Sequence, residues 1–121
     1  MARLNRKENP LLHRTLIELH KAARKHEVPL WAAVADELLR PRHQRPPLNV
    51  GHLERLAVPK ETVVIPGKLL AAGRLTKPLT VAAFHYSEEA RAKIHAVGGT
   101  TMSIHELVHA RPEGTGVRLL A

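Results

Sequence analysis

Two short runs of β-branched and apolar residues, at positions 62–65 and 80–84, constrain the fold of this chain more than any other feature. Neither run alternates cleanly between apolar and polar residues, so both are predicted to be buried strands. Pro66 and Gly67 follow the first run directly and are predicted to close it in a turn. The second half of the chain is therefore predicted to contain strands as well as helices.

The first half of the chain shows the spacing of helices instead. Asn9 and Pro10 are typical of a helix N-terminus. This helix is predicted to end near His26, because Val28-Pro29 interrupts it. The residues predicted to face the core recur at helical spacing: Leu12, Leu16, Leu19 and Ala23. A second helix is predicted to bury one face: Trp31, Val34, Ala35 and Leu38.

Two further helices are predicted on either side of the strand region. A short one is capped by Asn49 and runs through Ala57, with Leu53 and Leu56 directed inward. The other begins at Ser87, whose two following glutamates suit the positive end of a helix dipole. The glycine pair 98–99 is predicted to end that helix.

The last part of the chain is predicted to form one more helix and one more strand. Ser103 and Glu106 form a capping-box pattern at the start of the helix. Gly114 and Gly116 then turn the chain into a final strand over residues 117–120. The fold class is therefore α+β, with residues 9–121 in a single domain.

Composition limits both the core and the chemistry. The aromatic residues are Trp31, Phe84 and Tyr86, so the core must consist mostly of Leu, Val, Ile and Ala. The absence of cysteine excludes disulfides and thiolate metal sites. No apolar run approaches the roughly 20 residues of a membrane span. We therefore expect a soluble, cytoplasmic protein with no membrane partner.

The charge balance is the strongest indication of function. Nineteen Lys and Arg face eleven Asp and Glu, which gives a net charge of +8. Such a chain repels itself, so a polyanionic partner is expected, and nucleic acid is the usual one. Few aromatic residues argue against a protein that stacks single-stranded bases on rings. Recognition of phosphates and of RNA shape is therefore favoured.

Two basic segments are the first candidates for RNA contact. Residues 1–8 form a basic N-terminal arm that contains Arg3, Arg6 and Lys7. Residues 40–47 form a proline-stiffened basic loop, and its expected RNA-binding residues are Arg40, Arg42, His43 and Arg45. The alternatives are a solvated terminus and a solubilising linker, but the concentration of charge favours RNA in both segments.

Other cations are predicted from their place in the chain. Arg14, Lys21 and Lys25 share one face of the first helix, although such a face is often only solvated. Lys68 follows the predicted Pro66-Gly67 turn, which lacks the glycine spacing of a nucleotide-binding loop. The remaining candidates for RNA contact are Arg74 in the turn-rich stretch and Arg118 in the last strand.

The sequence His105-Glu106-Leu107-Val108-His109 matches the zinc-protease pattern, in which two histidines hold zinc and the glutamate activates water. Ile104, Leu107 and Val108 form the apolar stripe, so both histidines are predicted to point outward. Glu106 is already the capping partner of Ser103. The apparent third ligands are His85, His95 and Glu113. A zinc hydrolase is thus kept only as an alternative, with incidental metal binding by the exposed pair left open.

Five segments, taken in order, resemble one protein family: residues 62–68, Gly73, residues 78–84, residues 96–99 and residues 114–118. They are similar to the archaeal and eukaryotic large-subunit ribosomal protein of the eighteen-e type, a relative of bacterial large-subunit protein fifteen. Upstream, Asn9-Pro10, residues 29–31 and the basic loop before Leu48 also fit. Each motif alone is weak, whereas their order and spacing are specific. Nine histidines, and His105 in particular, depart from the pattern.

The resemblance implies irregular β-β-α turns stacked behind N-terminal helices. It also implies a structural, non-catalytic protein, archaeal more than eukaryotic, that binds large-subunit ribosomal RNA beside neighbouring ribosomal proteins. No cofactor, metal or small-molecule substrate is then expected. A second alternative is a basic nucleic-acid-binding module outside the ribosome, although Pro29 stands where a helix-turn-helix would favour glycine.

Overall fold

The computed structural model describes residues 10–40 and 47–120, and in these ranges it contains five helices and five strands. The helices are α1 (Pro10–His26), α2 (Pro29–Leu38), α3 (Val50–Leu56), α4 (Glu88–Ala96) and α5 (Ile104–Ala110). The strands are β1 (Leu48–Asn49), β2 (Thr62–Leu70), β3 (Thr80–Tyr86), β4 (Thr100–Met102) and β5 (Val117–Leu119). The predicted α+β class is confirmed.

The strands form one parallel sheet centred on β2. One edge of β2 pairs with β3, which in turn pairs with β4. The other edge is shared, because β5 pairs with residues 62–64 and β1 pairs with residues 69–70. Since every pair is parallel, the carboxyl ends of β2, β3 and β4 lie along the same side of the sheet.

Helices cover both faces of this sheet. On β2, Val63 and Ile65 belong to the core that packs against α3 and α4, whereas Val64 belongs to the core that packs against α1, α2 and α5. This alternation follows from the two-residue period of a strand. Both faces of β2 and β3 are therefore apolar, as the absence of clean alternation predicted.

Local signals located the helices well. The predicted end of α1 near His26 agrees with the structure, and the predicted face of α2 is buried. Ser87 Oγ accepts the Ala90 N–H at 3.1 Å at the start of α4. Ser103 and Glu106 form both bonds of the predicted capping box. The predicted cap at Asn9 lies outside the described residues.

Two predictions about elements are wrong. Leu56 was predicted to point inward, but it is 47% exposed, because the buried face of α3 continues from Leu53 to Ala57 instead. Pro66-Gly67 was predicted to end the first strand, yet β2 continues to Leu70. A register shift between Ile65 and Lys68 accommodates the proline, which has no N–H for the ladder.

Candidate nucleic-acid interface

Hydrogen bonds hold the segment at residues 71–78 against α3. The Glu54 carboxylate accepts hydrogen bonds from the Thr76 hydroxyl at 2.6 Å and the Thr76 N–H at 3.1 Å. The hydroxyl bond is the main cause that lowers the pKa of Glu54, with smaller contributions from the nearby charges of Lys77 and Arg74. Lys77 Nζ donates to the carbonyls of Glu54 and Ala57 at the C-terminal end of α3.

The same segment is also fastened to α4. Lys93 Nζ donates to the carbonyl of Ala71 at 2.7 Å and to that of Gly73 at 2.8 Å. Gly73 has φ +96° and lies so close to α3 that a Cβ there would stand 2.7 Å from the Gly51 Cα. Only glycine fits this position without moving the backbone. The segment is therefore held firmly between two helices, and it presents the exposed side chain of Arg74.

Strand β1, which follows the basic loop in the chain, lies beside this segment, and the Ala72 N–H donates to Asn49 Oδ1. Leu48 pairs with Leu69, so the parallel register brings residue 47 next to Lys68. Lys68 is exposed, and its partner across the strands is His85 of β3. Lys68 was predicted to follow a turn, but it lies on β2 after the register shift. Among the other residues predicted for this loop, Arg42, His43 and Arg45 lie outside the described ranges.

Arg91 lies nearby, at the carboxyl end of β3. Its guanidinium carbon is 5.1 Å from the centre of the Tyr86 ring, and both residues line a shallow depression together with His85. Arg91 was not among the residues predicted from the sequence, because its place beside these strands follows from the sheet. We call Lys68, Arg74, His85 and Arg91 the carboxyl-edge surface.

The Tyr86 hydroxyl joins the strands beneath the carboxyl-edge surface. It accepts the Ala83 N–H at 2.8 Å and lies 2.6 Å from the Met102 carbonyl oxygen, an acceptor on β4. Burial raises the pKa of this phenol above its ordinary value. Tyr86 therefore serves the fold as a neutral hydrogen-bonding group between β3 and β4.

The predicted cations on α1 share one exposed face. Lys21 and Lys25 lie within about 20° of Arg14 around the helix axis. All three are exposed, and no hydrogen bond or ion pair engages their side chains within residues 10–40 and 47–120. Arg24 is also exposed, in the last turn of α1, and was missed although it directly precedes Lys25. The predicted arm residues Arg3, Arg6 and Lys7 lie outside the described residues.

Two predicted cations have partners inside the protein. Arg40 Nη1 lies 3.2 Å from a carboxylate oxygen of Glu37. Arg118 Nη1 donates to the Leu56 carbonyl at 2.7 Å, so this side chain connects β5 to the end of α3. Both remain exposed, but Arg118 has a structural task that the sequence did not indicate.

The two histidines of the zinc-protease pattern point away from the core, as predicted. Glu106 Oε1 accepts the Ser103 N–H at 3.2 Å, which commits this carboxylate to the capping box. The predicted third ligands do not join the pair. Among the described residues, Glu18 of α1 is the one that groups with His105 and His109. Its approach depends on helix packing, which spacing along the chain does not reveal.

No helix in the described ranges is long and apolar enough to cross a membrane.

Comparison with known proteins identifies the family. The profile of the family described as "Ribosomal protein 60S L18 and 50S L18e" matches residues 1–121. Large ribosomal subunit protein eL18 of Archaeoglobus fulgidus is 44% identical over 115 residues, which cover 95% of this chain and 98% of the relative. The protein of the same name from Methanopyrus kandleri is 44% identical over 117 residues, which cover 93% and 92%. That from Haloarcula marismortui is 40% identical, over 94% and 97%.

These matches span nearly the whole length of both partners and confirm the resemblance found in the sequence. The chain therefore belongs to the family of ribosomal proteins 60S L18 and 50S L18e, structural proteins of the cytoplasmic ribosome and not enzymes.

Proposed function

We propose that this protein stabilises folded RNA of the large ribosomal subunit through the carboxyl-edge surface and the basic face of α1. We expect the cations of the basic loop at residues 40–47 and of the arm at residues 1–8 to contact RNA as well. The observation that carries the proposal is the register of Leu48 with Leu69, because it brings the end of the basic loop next to Lys68. Residue 47 thus lies beside the carboxyl-edge surface, which also carries the exposed cations Arg74 and Arg91.

The chemistry of this surface suits phosphates. Lys68 and Arg74 are exposed, and the segment that carries Arg74 is already ordered by Glu54, Lys77 and Lys93. RNA binding would therefore cost little ordering of the backbone. Each phosphate neutralised by Lys or Arg releases counterions, so affinity should fall steeply with salt. A-form RNA offers phosphates and 2′-hydroxyls to such a surface more readily than base edges.

Neighbouring ribosomal proteins are the second class of partner in this proposal. Leu56 is 47% exposed and Val58 is 58% exposed, and both lie near the C-terminal end of α3. On the opposite layer, Leu11 and Ile17 are exposed on α1. Apolar side chains at these positions suit contacts with protein surfaces that the assembled subunit would bring close.

The test compares two ends of one strand. Lys68 stands near the carboxyl end of β2, whereas Lys60 precedes its amino end, and the strand from Thr62 to Lys68 alone spans about 20 Å. The double variant Lys68→Gln, Arg74→Gln should bind a large-subunit RNA fragment more weakly. The slope of log affinity against log salt should fall by about 2, one for each lost phosphate contact. Lys60→Gln should bind the RNA as the unmodified protein does.

The measurement is a filter-binding or fluorescence titration of the full chain at several salt concentrations, with circular dichroism to establish that the variants fold. Equal losses in the Lys60 variant and in the double variant would reject the carboxyl-edge surface as the binding site. Competition by duplex DNA as effective as competition by ribosomal RNA would favour a nucleic-acid-binding module outside the ribosome.

A further inference from the structure

Three metal-binding side chains meet where α5 packs on α1, in the groove that Arg14 of the basic face of α1 also lines. His105 and His109 are four residues apart on α5, so they share one helix face. Their ring centres are 4.4 Å apart. Glu18 approaches from α1, and one ligand atom from each of the three residues lies within 4.8 Å of the other two.

We propose that Glu18, His105 and His109 form a site for a divalent transition-metal ion of the zinc class. Such an ion would link α5 to α1. The proposal does not depend on RNA binding. Two imidazoles and one carboxylate are a ligand set that zinc accepts, with a fourth position left for water.

The spacing already approaches what zinc requires. Tetrahedral zinc with bonds of about 2.0–2.2 Å separates its ligand atoms by about 3.3–3.6 Å. His109 Nε2 and Glu18 Oε2 are 3.4 Å apart. The His105 imidazole needs only a side-chain adjustment to complete the triangle, because the three ligand atoms are already within 4.8 Å of one another.

The surrounding fold supports the three ligands. Ile104, Leu107 and Val108 anchor α5 in the same core as Leu16 and Leu19 of α1. The backbones that carry the ligands are therefore held by packing, independent of any ion. The side of Glu18 and His105 opens on a groove of about 340 Å³, which gives an ion access from solvent.

The ligand types also decide which ion is preferred. Mg²⁺ favours oxygen ligands and retains its water, whereas imidazole suits zinc and its neighbours in the transition series. Arg14 lines the same groove, and its positive charge opposes a weakly bound cation. Affinity must therefore come from direct bonds to the nitrogens, so zinc should bind in the presence of a large excess of Mg²⁺.

Glu106, the glutamate of the zinc-protease pattern, is not part of this site. Its carboxylate accepts the Ser103 N–H in the capping box. The site thus uses the two histidines of the pattern without the carboxylate that would activate water. The role that follows is structural, with the ion acting as a cross-link between two helices.

The experiment titrates the full chain, freed of metal with a chelator, with Zn²⁺ in millimolar Mg²⁺ by calorimetry. We expect one tightly bound Zn²⁺ per chain. His109→Gln and Glu18→Gln should each weaken binding by more than about 100-fold, since even partners of ligands contribute 10–100-fold. His26→Gln removes another exposed imidazole of α1 and should leave the affinity unchanged. Glu106→Gln, which preserves a capping box, should also leave it unchanged.

Several results would overturn the site. Weak binding of several ions per chain, insensitive to His109→Gln, would mean that the nine histidines bind zinc without a defined site. Full affinity in Glu18→Gln would leave a histidine pair with no link to α1. A second readout is thermal unfolding, in which saturating Zn²⁺ should raise the midpoint of the unmodified protein but not of His109→Gln. An equal rise in both proteins would also reject the cross-link.

Discussion

Replacing Lys77 by Met is expected to lower the free energy of unfolding, whereas the same change at Lys68 is not. Lys77 Nζ donates to two carbonyls at the end of α3, those of Glu54 and Ala57. Met keeps most of the apolar stem but removes both donors. Lys68 is exposed on β2, and its side chain makes no hydrogen bond or ion pair in the described part of the chain.

The magnitude follows from these contacts. A hydrogen bond to a charged group contributes about 1.5–3 kcal/mol when it is well protected. Lys77 is only half-buried, so water can replace part of each bond, and we expect a total loss of about 1–3 kcal/mol. At about 4 °C per kcal/mol for a chain of this size, the unfolding midpoint should fall by about 4–12 °C. Lys68→Met should change stability by less than about 0.5 kcal/mol.

Urea denaturation followed by circular dichroism measures both variants, and RNA titration of the same samples completes the comparison. The two variants should differ in what they lose. Lys77→Met should lose stability, whereas Lys68→Met should lose RNA affinity and part of the salt dependence of binding. A loss below about 0.5 kcal/mol in Lys77→Met would mean that water satisfies these carbonyls equally well. The segment at residues 71–78 would then owe its position to other contacts.

Three further predictions concern single contacts. Leu53→Ala should cost about 2–5 kcal/mol in urea denaturation, because Leu53 is fully buried, whereas Leu56→Ala on the same helix should stay within about 0.5 kcal/mol; similar costs would contradict the assigned face of α3. Tyr86→Phe should lower stability by about 1–3 kcal/mol with an unchanged denaturant slope, since it leaves a strand N–H without its partner; a neutral result would show that the hydroxyl does not join β3 to β4. The pKa of Glu54 is lowered from 4.5, so its contribution to stability is present above that pH and is lost as the pH falls through the folded value. Thr76→Val should raise this pKa toward 4.5 in a carboxyl NMR titration, and an unchanged pKa would contradict the hydrogen bond as its main cause.

Features encoded by neighbouring residues were predictable from the sequence. The caps at Ser87 and Ser103 need only an oxygen and an N–H within one turn, and both form as expected. The apolar face of α2, including the fully buried Trp31, follows from helical spacing alone. In these places the local preference and the final structure agree, so no tertiary information was needed.

Features that depend on the sheet were not predictable in the same way. The pattern of α3 allowed either Leu56 or Ala57 to face inward, and only the position of the sheet selects Ala57. Strands β1 and β4 are too short to have a periodicity of their own. Lys93 contacts a segment about twenty residues away, so its structural role is invisible in its neighbours. Glu18 joins the two histidines for the same reason.

The proposed RNA-binding surface shows the same difference between local features, which were predictable, and features that depend on the sheet, which were not. Composition predicted a basic surface, and the cations on α1 were found by their helical spacing. Arg91 was missed because it reaches the surface through the parallel order of the strands, which the sequence did not establish. Arg118 was identified as a cation, but its bond to the Leu56 carbonyl depends on the pairing of β5 with β2.

The pairing of β5 with β2 also sets an order of events during synthesis. Residues 62–64 are synthesised long before residues 117–119. The second edge of β2 at residues 62–64 therefore stays unpaired until β5 has been synthesised. The hydrogen bond of the Trp31 indole also forms late, because its N–H donates to the Pro112 carbonyl at 2.7 Å. A nascent chain that has reached only α5 therefore carries an open strand edge and an unsatisfied indole. Such a chain is predicted to finish folding only once residue 119 has left the exit tunnel. Until then the open strand edge is exposed, so the risk of aggregation is set by the late arrival of β5 and not by the early formation of the helices.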